Sequence, residues 1–247
     1  MESEIEKLKG EIEELKKINT VKSDLISTSA HQLRTSLSAI KWTLKMFIDK
    51  DLGTLTDEQD QFIKKSYESI EQMTVLVNDM LTLNSTDNAE IVLKFEKVNV
   101  VELIDKTMME FSGEAKKKGI DLVFEKPKDD LPEINYNKEM MKVILQNLID
   151  NSLKYSKTGG KITINVKSNK EEMQLSVQDS GIGISEEDQN NIFQRFFRAE
   201  TAKKHEPIGS GLGLYTIKKI VENHRGKISF KSKMGSGTTF FVELPIN

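Results

Sequence analysis

Ser27-Thr28-Ser29-Ala30-His31-Gln32-Leu33-Arg34-Thr35-Ser36-Leu37 is the stretch from which the rest of the chain can be read. It lies inside a long helical pattern and sets a histidine one step off an apolar seam. Stepping by seven gives Ile5, Ile12, Asn19, Ile26, Leu33, Ile40 and Phe47, a column broken only by one asparagine. Seven-residue spacing keeps one helix face on a partner helix and implies a left-handed supercoil. No Pro or Gly interrupts residues 11–50, so the spacing predicts a helix of roughly 40 residues, about 60 Å long.

The companion column shifts along the way. Leu8 and Leu15 stand three after their seam residues, whereas Ala30, Leu37 and Leu44 stand four after. The apolar face therefore turns between Asn19 and Ser29, as where a two-stranded coiled coil over 1–21 passes into a wider bundle. Asn19 either fixes register and strand number or is a polar interruption without a role. A loop from Asp49 to Leu55 follows, and Thr56 with Gln59 makes a capping-box signature for a second helix. Ile63, Ile70 and Val77 form its seam, flanked by Met73 and Met80. One such hairpin buries only part of its apolar surface and two close a four-helix bundle, so 22–86 is expected to form a parallel homodimer. The Ser85-Thr86-Asp87-Asn88 cluster ends the second helix, and 87–90 reads as a linker.

From 91 to 247 the period changes. Short β-like runs (Ile91–Phe95, Ile120–Phe124, Lys161–Lys167, Met173–Gln178, Lys227–Ser232, Thr238–Leu244) alternate with helical ones (Val100–Lys118, Lys138–Ser156, Leu214–His224). This mixture predicts an α/β two-layer sandwich, with hairpins at 161–178 and 227–244 and a mixed sheet rather than a purely parallel one.

The chain has 247 residues, 36 basic and 39 acidic, with net charge −3, which gives no general electrostatic case for nucleic acid or an anionic membrane. With no cysteine there is neither a disulfide framework nor a thiolate metal site. No run approaches the roughly 20 apolar residues a bilayer span needs, and no signal peptide opens the chain. A cytoplasmic location is expected, as the soluble part of a larger, membrane-bound sensor with no direct membrane contact of its own.

Three polar constellations stand out. Asn147 and Asn151 are four apart on a helix, hence on one face, with Lys154 and Tyr155 just beyond; two carboxamides and an ammonium suit a hydrated Mg²⁺ and phosphate oxygens. Asp179-Ser180-Gly181-Ile182-Gly183 places a carboxylate at a strand end, able to accept from an exocyclic amine. Gly209-Ser210-Gly211-Leu212-Gly213-Leu214 opens a helix and frees backbone N–H groups for phosphate. Taken singly, each is weak: exposed Asn and Lys are usually solvated, and a glycine triplet is common. An isolated histidine such as His31 is likewise more often solvated or packed than reactive.

In this order, behind a histidine-bearing hairpin, they resemble the cytoplasmic core of a sensor histidine kinase. That core is a dimerisation and phosphoacceptor domain followed by a Bergerat-type ATP-binding domain of the gyrase and histidine-kinase superfamily. The resemblance covers about Lys22 to Pro245. Residues 147–155 look like the N box, 179–183 the G1 box, 192–198 the F box, 209–213 the G2 box, and 235–240 the last glycine turn.

The resemblance implies that His31 attacks the γ-phosphate of ATP. It makes Asn151 the Mg²⁺ ligand, with Asn147 in support. Lys154 would touch phosphate, Tyr155 the adenosine, and Asp179 the adenine amino group with Thr238 nearby. Gly181, Gly183, Gly209, Gly211, Gly213, Leu214 and Arg198 would line the nucleotide. Arg195 would stabilise charge on the γ-phosphate, and 183–209 would form a mobile lid, with Phe193, Phe196 and Phe197 as its anchors or as core. The ATP domain would swing on its linker to reach His31, and a response-regulator receiver aspartate would take the phosphoryl group.

Two positions depart from the family pattern. Gln32 stands where an acidic residue is usual, and Ser36 where proline is usual, which predicts a straighter first helix and altered switching. Thr35, four after His31, matches a threonine that in relatives places the hydrolytic water. Besides a kinase, the chain can therefore be read as mainly a regulator phosphatase, or as a nucleotide-sensing scaffold without enzymatic activity, though the full set of ATP motifs argues against the scaffold. An amide takes up no proton. Gln32→Glu is therefore expected to speed autophosphorylation, within the ~10²–10⁴-fold range of general-base help. Equal initial rates for the two forms would refute this.

Overall fold

The computed structural model describes residues 2–87, 95–129, 131–169 and 171–246. The chain forms two compact units, residues 1–91 with 208–210, and residues 92–207 with 211–247.

The first unit is a helical hairpin, α1 (Glu2–Ile48) and α2 (Asp57–Asp87). At 47 residues α1 exceeds the expected length. It runs unbroken through Ser36, whose hydroxyl donates to the Gln32 carbonyl one turn back (3.1 Å). The turn into α2 is closed as its capping box requires. The Thr56 N–H donates to Gln59 Oε1 (3.0 Å), and the Gln59 N–H donates to Thr56 Oγ1 (3.3 Å).

Within one chain the two apolar columns of α1 pack differently. Ala30, Leu37 and Val77 are the buried contacts, with Ile70 and Leu81 against them. Leu33 and Ile40, from the column taken as the seam, stay 51% and 47% exposed, and Met73 and Met80 are also exposed. Ala30 and Leu37 of the companion column thus close the hairpin against Ile70 and Val77 of the α2 seam, while in the seven-residue column of α1 Leu33 and Ile40 stay exposed and Ile26 and Phe47 are half-buried. Polar bridges hold the pairing. Arg34 donates from Nε and Nη2 to Asn78 Oδ1 (3.1 and 2.7 Å), and Lys41 pairs with Glu71 (2.6 Å).

The second unit contains β1 (Glu96–Val98), α3 (Val100–Lys118), β2 (Asp121–Glu125), β3 (Ile134–Tyr136), α4 (Lys138–Tyr155), β4 (Lys161–Ser168), β5 (Glu172–Asp179), α5 (Glu200–His205), α6 (Gly213–Asn223), β6 (Lys227–Lys233) and β7 (Gly237–Pro245). Five strands form one sheet in the order β2-β4-β5-β7-β6. The β2–β4 pair is parallel and the rest are antiparallel, so both expected hairpins and the mixed sheet are present. Alternate strand residues, Ile162, Ile164 and Val166 on β4 and Met173, Leu175 and Val177 on β5, enter one core with Ile104, Ile144, Leu148 and Ile217 from the helices. That period-two burial makes two layers.

Asparagine caps start two of the helices. Asn99 accepts from the Glu102 N–H (3.0 Å) and Asn137 from the Met140 N–H (2.9 Å). Two elements differ from expectation. The ribbon β1–β3 uses Ile134–Tyr136, too short a run to show period two, and pairs it with Glu96–Val98. Six residues of the polar lid segment form α5. Residues 91–94 of the expected first run and 88–90 of the expected linker lie outside the described residues.

His224, one residue past α6, ties these pieces together. It is 4% exposed, with the rings of Phe95 and Tyr136 edge-on at 5.5 and 5.7 Å. Nδ1 lies 2.7 Å from the Ile220 carbonyl, while buried Nε2 meets no partner among the described residues. Burial holds its pKa below the ordinary 6.5, against the opposing pull of the Ile220 bond. The unfolded chain therefore takes up this proton at higher pH than the folded one. The stability is fully present above about pH 6.5 and is lost as pH falls below it. His224→Phe is expected to flatten the fall in Tm between about pH 7 and about pH 5. Identical slopes for the two proteins would remove His224 from the acid response.

Candidate nucleotide site and phosphoacceptor helix

Within the α/β unit, α4 touches both of the other predicted clusters, the Gly181 turn at its last residue Tyr155 and Gly213 of α6 at Asn147. Asp179 closes β5 and is 7% exposed. Its Oδ1 accepts two backbone hydrogen bonds, from Gly181 N–H (2.8 Å) and Thr238 N–H (3.1 Å). Burial raises the carboxyl pKa, and the two N–H groups work against that rise. Thr238 is buried, with its hydroxyl 2.9 Å from that of Ser232.

The turn after Asp179 lies on the end of α4. The Ile182 N–H donates to the Tyr155 carbonyl (3.1 Å), and any Cβ at Gly181 would stand 2.3 Å from that oxygen. Only glycine fits there. Gly183 follows, and the Gly235 N–H donates to the Ile182 carbonyl (2.7 Å), which brings the last glycine turn against this one.

Asn147 and Gly213 meet in the same way. Asn147 Nδ2 donates to the Val143 carbonyl (2.9 Å), and its Oδ1 faces the start of α6, where a Cβ on Gly213 would come within 2.7 Å. The N-box and G2-box positions are therefore neighbours in space, 66 residues apart in the chain. Asn151 lies one turn along α4 and is half-buried. Lys154 pairs with Asp150 at 2.6 Å. Burial pulls its pKa down, but Asp150 pulls it up and prevails. Asp150 was missed from the sequence, although its i,i+4 spacing to Lys154 was a usable signal.

Gly211 precedes α6, and Leu214 on its first turn packs against the core. Gly209 groups with the helical unit. In the F box, Phe193 and Phe197 pack against the core while Phe196 is exposed, so the three phenylalanines do not act alike. Arg195 Nη2 donates to the Tyr215 hydroxyl (2.7 Å). Arg198 donates to the backbone carbonyls of Glu206 and Pro207. The Tyr155 ring lies 6.3 Å from that of His205 on α5.

No group of three His, Cys, Asp or Glu side chains among the described residues could cage a metal ion. A carboxamide such as Asn151 suits Mg²⁺, which keeps several waters and takes its remaining oxygens from substrate phosphates.

In the helical unit His31 is exposed on α1, as are Gln32 and Thr35. The Thr35 hydroxyl donates to the His31 carbonyl (3.1 Å). Exposure suits an imidazole that must be reached from outside its own helix.

A buried carboxylate with a close-packed glycine turn, carboxamides facing a helix start, and an exposed histidine on a separate hairpin together define a phosphoacceptor and ATPase pair. Residues 21–89 match the His Kinase A (phospho-acceptor) domain, and residues 137–247 match the histidine kinase-, DNA gyrase B-, and HSP90-like ATPase family. The chain belongs to the histidine kinases. It is 31% identical over 228 residues to the sensor protein SrrB of Staphylococcus aureus (strain N315), covering 92% of this chain and 39% of SrrB. It is similar to the catalytic domain of the histidine kinase ThkA, with 32% identity and TM-score 0.55 over 62% of this chain and 99% of that one. ThkA in complex with the response regulator TrrA matches at 25% identity and TM-score 0.63, over 91% of this chain and 61% of that one. Full-length ShkA in complex with AMPPNP matches at 25% identity and TM-score 0.68, over 90% of this chain and 45% of that one.

Asp179→Asn keeps the acceptor for two backbone N–H groups but turns an amide toward the ligand. It is expected to weaken binding of a fluorescent ATP analogue at least about tenfold, with Tm little changed. Unchanged affinity would detach this carboxylate from the base.

Proposed function

We propose that this chain is the kinase core of a two-component sensor, autophosphorylating on His31 with ATP and passing the phosphoryl group to a receiver-domain aspartate. The observation that carries it is that α4 meets both glycine clusters, Asn147 against Gly213 and the Tyr155 carbonyl against the Gly181 turn that Asp179 holds, in a chain whose exposed histidine lies on a separate hairpin.

Asp179 orients adenine by accepting its amino group, with Thr238 beside it. The start of α6, from Gly211 to Gly213, presents N–H groups to phosphate. Lys154, already paired with Asp150, adds charge at that end, and Tyr155 packs beside the adenosine. Asn151 holds Mg²⁺, which neutralises charge on the phosphates when bound. Arg195 meets the charge that builds on the γ-phosphoryl group. The neutral imidazole of His31 attacks the γ-phosphorus; the P–N bond forms, the bond to the β-phosphate oxygen breaks, and ADP departs with the electron pair. The imidazole proton goes to solvent, since Gln32 takes none. A receiver aspartate then accepts the phosphoryl group. Complex formation with a response regulator by the similar kinase ThkA supports that partner.

The uncovered Leu33, Ile40, Met73 and Met80 face supports a homodimer. Among the described residues no helix is long and apolar enough to cross a membrane. The chain spans about 39% of the length of its SrrB relative, which supports its being the cytosolic part of a longer, membrane-anchored sensor.

Incubation with radiolabelled ATP and Mg²⁺ should put an acid-labile, base-stable label on the wild-type chain. His31→Ala and Asn151→Ala should each abolish it. A label that survives His31→Ala would overturn the assignment.

A further inference from the structure

α6 begins at Gly213, and its first turn carries Tyr215. The Tyr215 hydroxyl accepts from Arg195 Nη2 at 2.7 Å, and the guanidinium carbon lies 4.6 Å from the centre of the same ring. The two contacts use different parts of one side chain. The hydrogen bond fixes the guanidinium edge, and the π face attracts its charge. A first-turn aromatic side chain on a helix points back toward the helix start. That direction carries the guanidinium toward the start of α6, the end at which a helix offers backbone N–H groups to an anion and at which Asn147 faces Gly213.

Arg195 is exposed and its backbone lies in the turn-rich F box, outside any helix or strand. Such a side chain samples many rotamers unless something selects one. We infer that Tyr215 is the positioning residue for Arg195, setting the guanidinium at the phosphate end of α6 before the γ-phosphoryl group arrives. The inference deepens the kinase assignment and rests on it. Tyr215 touches no reacting atom. It acts only through Arg195, so its removal should slow the chemical step and leave ATP capture alone. Lys219, one turn along α6, lies 5.9 Å from the same ring and pairs with Glu222 at 2.8 Å, so the ring serves two cations.

The test measures autophosphorylation of the full chain over a range of ATP concentrations. Tyr215→Leu is expected to lower kcat about tenfold with the KM for ATP within about twofold. Tyr215→Phe, which keeps the ring, should recover most of the loss. Tyr215→Leu combined with Arg195→Ala should be no slower than Arg195→Ala alone, since the two act as one unit. Multiplying losses in the double variant, or a wild-type rate for Tyr215→Leu, would overturn the inference.

A second readout does not depend on activity. In ¹⁵N-labelled protein the Arg195 Nε–H resonance should be ring-shifted in wild type and Tyr215→Phe, and should move to the free-arginine position in Tyr215→Leu. A wild-type resonance already at the free position refutes the contact. If the ring shift is present but His31 takes no label, the kinase assignment fails, and the positioning role falls with it.

Discussion

One buried carboxylate oxygen organises the α/β unit. Asp179 Oδ1 takes N–H groups from two segments 57 residues apart, Gly181 and Thr238, at the end of adjacent strands β5 and β7. An ionised group in such a place is costly to leave unpaired. The fold therefore has to bring the G1 turn and the last glycine turn together to satisfy it. That requirement fixes where β5 ends, where β7 begins, and how the Gly181 turn lies on α4.

The same economy of contact recurs at the α4–α6 junction. A Cβ at 213 would come within 2.7 Å of Asn147 Oδ1, so glycine there lets the Asn147 carboxamide lie directly against the start of α6. Three cations of the predicted site are each tethered: Lys154 to Asp150, Arg195 to Tyr215, and Arg198 to the carbonyls of 206 and 207. Carboxylate, phenol and backbone groups thus hold these charges in place.

The helical hairpin follows a different logic. Its buried contact is narrow, made by Ala30, Leu37 and Val77 with Ile70 and Leu81 against them, and Leu33, Ile40, Met73 and Met80 stay exposed. Ala30 lets the two helices approach at that level. His31 follows Ala30 directly, so the residue that closes the hairpin also turns the histidine outward.

Much of this was legible in the amino-acid order. Helix period, capping residues and turn chemistry are local, so the bounds of α3, the Thr56–Gln59 box and both hairpins could be read directly. The motif spacing singled out Asn147, Asp179 and Gly213, and the structure sets Asn147 against Gly213 and Asp179 on the Gly181 turn. The sequence could not show which of two apolar columns lies inside the hairpin, because both have the same period and only the partner helix chooses between them. It could not show β3, whose three residues carry no periodicity, nor the pairing of Arg195 with Tyr215, 20 residues away. Contacts between distant segments depend on how strands order and helices dock, and the tertiary structure alone decided those.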